Sequence, residues 1–309
     1  MKISRTRIAE SALFFNTVIW GGTFVLIKSA LTDSSPMLFV TVRFAIATAV
    51  LLPLMYKSLL NVSKRQIIQG ITLGFLLYLG FILQTVGLTT TTATKSAFIT
   101  GTFVLFTPIL EMIMERRKPT TANVISIFLV VTGLTFLSSG GETVYDVFNE
   151  IGSDFSTGDF LTLICAFTFA LYIVYLDKIS SENDHRFLTL TQVGTTFVLA
   201  GISTLVFPAA GGGEIRLNLT NNLVFVLLYT SLLATVLNLF LTTKYQPVVT
   251  PTKAGLIFSM EPIFAAVFAF MILNERPTMF VLTGALLIFS GVIISEICKS
   301  ADKKEIRRE

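Results

Sequence analysis

The chain has 309 residues, 53% of them hydrophobic and 14% charged, with a mean hydropathy of +0.77 and a formal net charge of +4. That balance excludes an ordinary soluble domain. The basic residues sit in gaps between apolar runs and form no continuous patch, which excludes a nucleic-acid surface. An all-α polytopic membrane protein is expected, with the lipid bilayer as its main partner.

Ten apolar segments follow in order, each bounded by Pro, Gly or charge: 8–30, 37–56, 67–88, 96–115, 122–138, 159–177, 187–207, 222–243, 252–273 and 278–297. About 20 apolar residues cross the hydrocarbon core. MKISRTR precedes the first run without a small-residue cleavage site, so that run reads as a retained helix. Most connections are short and make successive helices antiparallel neighbours. Those near 140–158 and 208–221 carry Gly, Asn and acids and read as aqueous loops. Lys and Arg divide 18 to 4 between the two sides, Arg43 apart, which predicts a multi-pass protein of the cell (inner) membrane with both termini cytoplasmic. The acids Glu142, Asp146, Glu150 and Asp154 then fall outside.

A shift of 158 residues aligns the fourth and fifth segments with the ninth and tenth without a gap. It matches Thr92 with Thr250, Thr94 with Thr252, Lys95 with Lys253, Ile99 with Ile257, Phe106 with Phe264, Pro119 with Pro277, Thr120 with Thr278 and Gly133 with Gly291. The expected organisation is a five-helix repeat over 1–139, an outer loop over 140–158, a second repeat over 159–298 and a basic tail over 299–309. Five is odd, so the halves are inverted, an arrangement that secondary carriers use around a midplane site.

The ninth segment carries the least lipid-compatible chemistry, KAGLIFSMEPIFAAVFAFMIL. An ionised acid such as Glu261 at mid-bilayer costs about 2.5 kcal/mol or more, so it needs a partner or a task. Pro262 lacks an N–H and is expected to free a carbonyl one turn back. A neutral acid held by a neighbour's hydroxyl beside a proline kink is the plainer reading.

WGGTF at Trp20, Arg43-Phe44, TKSAFITGTFVLFTPIL and EPIFAAVFAFMILNERPT, with its Glu275-Arg276 turn, resemble the drug/metabolite transporter superfamily, specifically its EamA-like ten-helix carriers. The resemblance spans nearly the whole chain. It implies a gradient-coupled carrier or exchanger with a cavity lined by helices 1, 3, 4, 6, 8 and 9, and with helices 5 and 10 peripheral. The chain departs from equivalence between its halves, with Phe103-Val104 where the second half has Glu261-Pro262 and a proline displaced to Pro108.

Candidate substrate-binding residues are Asn16, Trp20, Arg43, Gln84, Tyr172, Asn238 and Glu261. Arg43 is always charged and needs an acceptor: a helix-interior acid, a substrate carboxylate, or backbone carbonyls at a helix end. Asn16 and Trp20 share a helix face and can meet a ligand, although Asn16 equally can tie two helices. Glu261 and Glu111 are coupling candidates, with Glu111 also within reach of Arg116 and Arg117. Lys95 and Lys253 are entrance candidates or interfacial lysines that snorkel. Cys165, Cys298 and the lone His185 make no metal set, and no cofactor is expected. The expected function is transport of a small amphipathic metabolite, such as an amino acid, by alternating access. An intramembrane lipid-modifying enzyme wants clustered acids or a His relay, and a channel wants a continuous polar pore; the sequence offers neither.

Overall fold

A computed structural model of the protein describes residues 5–138, 155–207, 215–273 and 278–305. The apolar runs are helices, because lipid offers no partner to a backbone N–H or C=O and a helix satisfies both internally. Among the described residues the only β-pairing is an isolated bridge between Ser34 and Leu217. The Glu275-Arg276 turn, the loop acids and the last four residues lie outside the described residues, as does the Cys298 side chain.

The first span is Arg5–Gly21 continued by Thr23–Ala30; the second is Pro36–Met55, the third Lys64–Gly87, and the fourth Ala93–Gly101 with Phe103–Glu115. The fifth is Thr121–Ser138, the sixth Thr157–Ser180 and the seventh His185–Val206. The eighth runs through Asn221–Leu228, Tyr229–Leu237 and Asn238–Tyr245; the ninth is Pro251–Phe258 with Glu261–Leu273, and the tenth Met279–Glu305. Seven spans are long and apolar enough to cross a membrane, and the fifth and tenth contain shorter apolar helices. With the broken ninth they make the expected ten-helix, doubly repeated fold. Caps fix several starts. Ser63 with Gln66 and Ser156 with Asp159 form capping boxes, and Thr92 and Thr250 each accept the backbone N–H three residues on.

The packing is mostly between halves. The third span lies on the sixth, the seventh on the second and third, and the first on the eighth and ninth. The fifth and tenth pack on each other. A Cβ on Gly133 would stand 2.6 Å from the Gly284 carbonyl oxygen, so only a hydrogen there permits this approach. These two helices therefore leave the centre to the rest.

Four spans are interrupted, the first of them at Gly22. The fourth breaks at Thr102 and the ninth at Ser259–Met260, which the 158-residue shift makes equivalent. Pro262 does not kink a continuous helix. It is the second residue of Glu261–Leu273, in a first turn whose N–H groups have no intrahelical acceptor, where proline costs least. In the eighth span Tyr229–Leu237 is π-helical, and Thr235 Oγ1 donates to the Thr230 carbonyl five residues back at 2.8 Å.

Candidate functional site

A cavity of about 60 Å³ lies between the halves, room for roughly four waters. The first span contributes Trp20 and Thr23, the third Leu77, Phe81 and Gln84, and the fourth Thr100 and Phe103. The sixth adds Phe169, Tyr172 and Ile173, the eighth Leu239 and Thr242, and the ninth Phe258 and Glu261. These are the six spans that the resemblance implied.

The lining is a repeated pattern. A shift of 149 takes Trp20 to Phe169 and Thr23 to Tyr172. The shift of 158 takes Phe81 to Leu239, Gln84 to Thr242, Thr100 to Phe258 and Phe103 to Glu261. The larger shift reflects nine more residues between the first and third spans of the second half. Glu261 is thus the acid that breaks an otherwise paired frame, facing the place its mate Phe103 occupies from the other side.

The neighbours are mainly aromatic. Trp20 meets Phe258 edge-on with ring centroids 5.5 Å apart, and Phe81 meets Phe169 at 5.7 Å. Tyr172 donates its hydroxyl to Gln192 Oε1 at 2.8 Å, and Gln84 Nε2 reaches Thr100 Oγ1 at 3.3 Å. The half-buried Glu261 carboxylate makes no hydrogen bond and no ion pair among the described residues. Gly21 presses on this turn; a Cβ there would lie 2.9 Å from the Glu261 carbonyl oxygen and 2.6 Å from Phe264 Cβ.

Other sequence candidates lie behind this wall. Asn16 and Asn238 are fully buried and donate to each other's carbonyl at 3.1 and 3.2 Å, tying the first span to the eighth. Asn16 also donates to Thr242 Oγ1 at 2.9 Å, one residue from the cavity. Arg43 is buried, with no carboxylate beside it among the described residues. Its Nε donates to Thr235 Oγ1 at 2.8 Å and its guanidinium lies 4.5 Å from the Phe81 ring centroid. Glu111 does not turn to Arg116 or Arg117. Its Oε2 accepts the backbone N–H of Thr252 at 2.9 Å and the Thr252 hydroxyl at 2.6 Å, a charge seated on a helix N-terminus. Lys95 pairs with Asp159 at 2.7 Å, and Lys253 with Glu10.

Of the residues singled out in the sequence, Trp20, Gln84, Tyr172 and Glu261 meet in one cavity. Thr23, Phe81, Thr100, Phe103, Phe169, Thr242 and Phe258 were passed over; the 158 shift applied to Gln84 and Glu261 finds Thr242 and Phe103, and the 149 shift seen in the cavity takes Trp20 to Phe169 and Tyr172 to Thr23.

Residues 7–139 and 156–296 each match the EamA-like transporter family, and their starts stand 149 apart, the shift seen in the cavity. An uncharacterized transporter of Archaeoglobus fulgidus is 31% identical over 286 residues, 93% of this chain and 85% of that one. An uncharacterized transporter of Bacillus subtilis is 22% identical over 93% of this chain and 96% of its own length. The S-adenosylmethionine/S-adenosylhomocysteine transporter of Chlamydia muridarum is 27% identical over 85% of this chain and 83% of its own. A solved crystal structure matches with a TM-score of 0.74 over 93% of this chain and 97% of that chain; at 14% identity it speaks for the fold alone.

Proposed function

Since the chain belongs to the EamA-like transporter family, we propose that it is a secondary carrier for a small amphipathic metabolite bearing a cationic group, exchanged for a proton at Glu261. The observation that carries this reading is a carboxylate with no hydrogen-bond or ion-pair partner among the described residues, in an aromatic-walled cavity. A buried carboxylate has two ways to escape the cost of its charge: it takes a proton, or it takes a cation. Using one group for both makes the two loads exclusive, which couples them. The rings of Trp20, Phe81, Phe169 and Phe258 favour the cation further, at about 0.5–2 kcal/mol for each face it meets. The relative named for S-adenosylmethionine is in keeping, because that molecule carries a sulfonium cation.

A cavity of about 60 Å³ is too small for such a metabolite, so loading requires the halves to part. The breaks at Thr102 and at Ser259–Met260 put chain without a regular ladder beside the cavity on both sides. The basic residues Arg65, Arg116, Arg117, Lys178 and Arg186 gather at the face where the chain starts, which supports a cytoplasmic assignment for that face. The test is counterflow in proteoliposomes. Vesicles preloaded with unlabelled organic cation accelerate uptake of the labelled compound if the protein is a carrier; a channel or an enzyme gives no acceleration. Glu261→Gln abolishes it.

A further inference from the structure

Among the described residues four ion pairs join the halves; the arginines of Arg65–Glu182 and Arg117–Asp177 are exposed at the face where the chain starts, and the other two pairs are shielded, one at each end of the bundle. At the face where the chain starts, Lys253 of the ninth span pairs with Glu10 of the first. At the opposite face, Lys95 of the fourth pairs with Asp159 of the sixth at 2.7 Å. Each pair takes its lysine from one half and its acid from the other. They are also one pair repeated, because the 158 shift carries Lys95 to Lys253 and the 149 shift carries Glu10 to Asp159. Those are the shifts that relate the two sides of the cavity. Each lysine is the third residue of a helix whose threonine cap accepts the lysine N–H, Thr92 at 3.1 Å and Thr250 at 3.3 Å. Each stands eight residues before a cavity residue, Phe103 or Glu261, across the break in its span.

We infer that Lys253–Glu10 and Lys95–Asp159 are the two gates of the transport cycle, each parting to admit substrate from its own face while the other holds. The inference rests on the carrier reading above and adds the residues that confine the cavity. Two inverted, similar halves open to opposite faces by exchanging conformations. A contact and its symmetry mate therefore exchange states too: in each open state the pair at the open face is broken while its mate is made, and in the closed state between them both are made. Both pairs are made here, and the cavity between them is small. The side chains are 24% and 0% exposed in Lys95 and Asp159, and 6% and 19% in Lys253 and Glu10. Charges so shielded separate only as water reaches them, which links parting of a pair to wetting of its face. Asp159 is held additionally by the Thr91 hydroxyl at 2.5 Å and the Ser156 N–H at 2.8 Å.

The test reads which face reaches the cavity. With Cys165 and Cys298 replaced by serine, Thr100→Cys places one thiol in the cavity, and a membrane-impermeant maleimide is applied to either side of oriented vesicles. Lys253→Gln is expected to raise labelling from the face where the chain starts, relative to the other, by about 5-fold or more, and Lys95→Gln to shift the ratio the opposite way. The exchanged pair Lys253→Glu with Glu10→Lys returns the parent ratio, as does Lys95→Arg, which keeps a cation beside Asp159, and these carry the test if a single variant does not fold. Ratios that stay put, or that both move towards one face, overturn the gates, as does an exchanged pair that fails to restore the ratio. Counterflow by the parent separates the two ideas: counterflow with unmoved ratios refutes the gates alone, and no counterflow refutes the carrier.

Discussion

Trp20 and Arg43, on neighbouring spans, donate to one oxygen: the Ala234 carbonyl accepts Nε1 of Trp20 at 3.0 Å and a guanidinium nitrogen of Arg43 at 3.3 Å. Ala234 lies in the π-helical stretch, where the changed ladder leaves carbonyls for outside donors. A buried arginine and the cavity-facing ring of the first span thus share one acceptor on the eighth.

Arg43→Gln removes its own bond to the Ala234 carbonyl and leaves Thr235 without its donor. An expected loss of about 1–3 kcal/mol is read by thermal unfolding of the purified protein. Trp20 is the chain's single tryptophan, so its emission shifts with it. Arg43→Lys does not restore either property, since an ammonium cannot span both acceptors. Unchanged melting and emission would remove Arg43 from this role.

Glu111 serves the helix that begins at Pro251, accepting both bonds from Thr252 on one oxygen. Glu111→Leu costs about 1–3 kcal/mol, and Glu111→Gln costs less because its amide oxygen still accepts. The pH dependence of transport survives Glu111→Gln. Its loss would make Glu111 a coupling group after all.

Gly133 and Gly284 test the peripheral seam. Gly133→Ala drives a methyl against backbone that cannot yield, an overpacking cost of about 1–3 kcal/mol. Gly194→Ala is the control: nothing lies within 4 Å of its Cβ, and alanine in a helix interior gains about 0.5–1 kcal/mol over glycine. Melting temperatures that move in opposite directions support the assignment, and equal shifts contradict it.

Competition between proton and cation for Glu261 fixes the sign of the pH effect. Acidification fills the carboxyl with protons and weakens cation uptake, by up to about tenfold per pH unit once the protonated form dominates. Glu261→Gln flattens this dependence along with transport itself. Uptake that strengthens on acidification at the substrate-loading face would reverse the proposed exchange.

The sequence predicted the ten spans to within about three residues at nearly every end, because partition into lipid depends on length and apolarity and not on which helix packs against which. The exception, the tenth, runs on to Glu305 through polar residues that a helix accepts once it leaves the bilayer. The break at Ser259–Met260 was legible from Pro262 two residues on, though as a kink inside a helix and not as the start of a new one; the breaks at Gly21–Gly22 and Thr102 and the π-helical stretch were not, since no proline marks them. Glu261 was legible because a charge in hydrocarbon is costly wherever it sits. Glu10 and Asp159 were not, because an acid near a span's end carries no such cost, and only contact with Lys253 and Lys95 gives them meaning. Asn16 and Asn238 look like ligand contacts in the sequence and bond to each other in the fold, a distinction that mid-helix polarity alone does not carry.

The central claim is that Glu261 and the rings around it take a cation. Titrating the purified protein with benzyltrimethylammonium while following Trp20 fluorescence tests it directly, with uncharged, isosteric neopentylbenzene as the comparison. A saturable change with the cation, weaker at acid pH and absent in Glu261→Gln, is predicted. An equal response to neopentylbenzene, or a response to the cation that persists in Glu261→Gln, would contradict it.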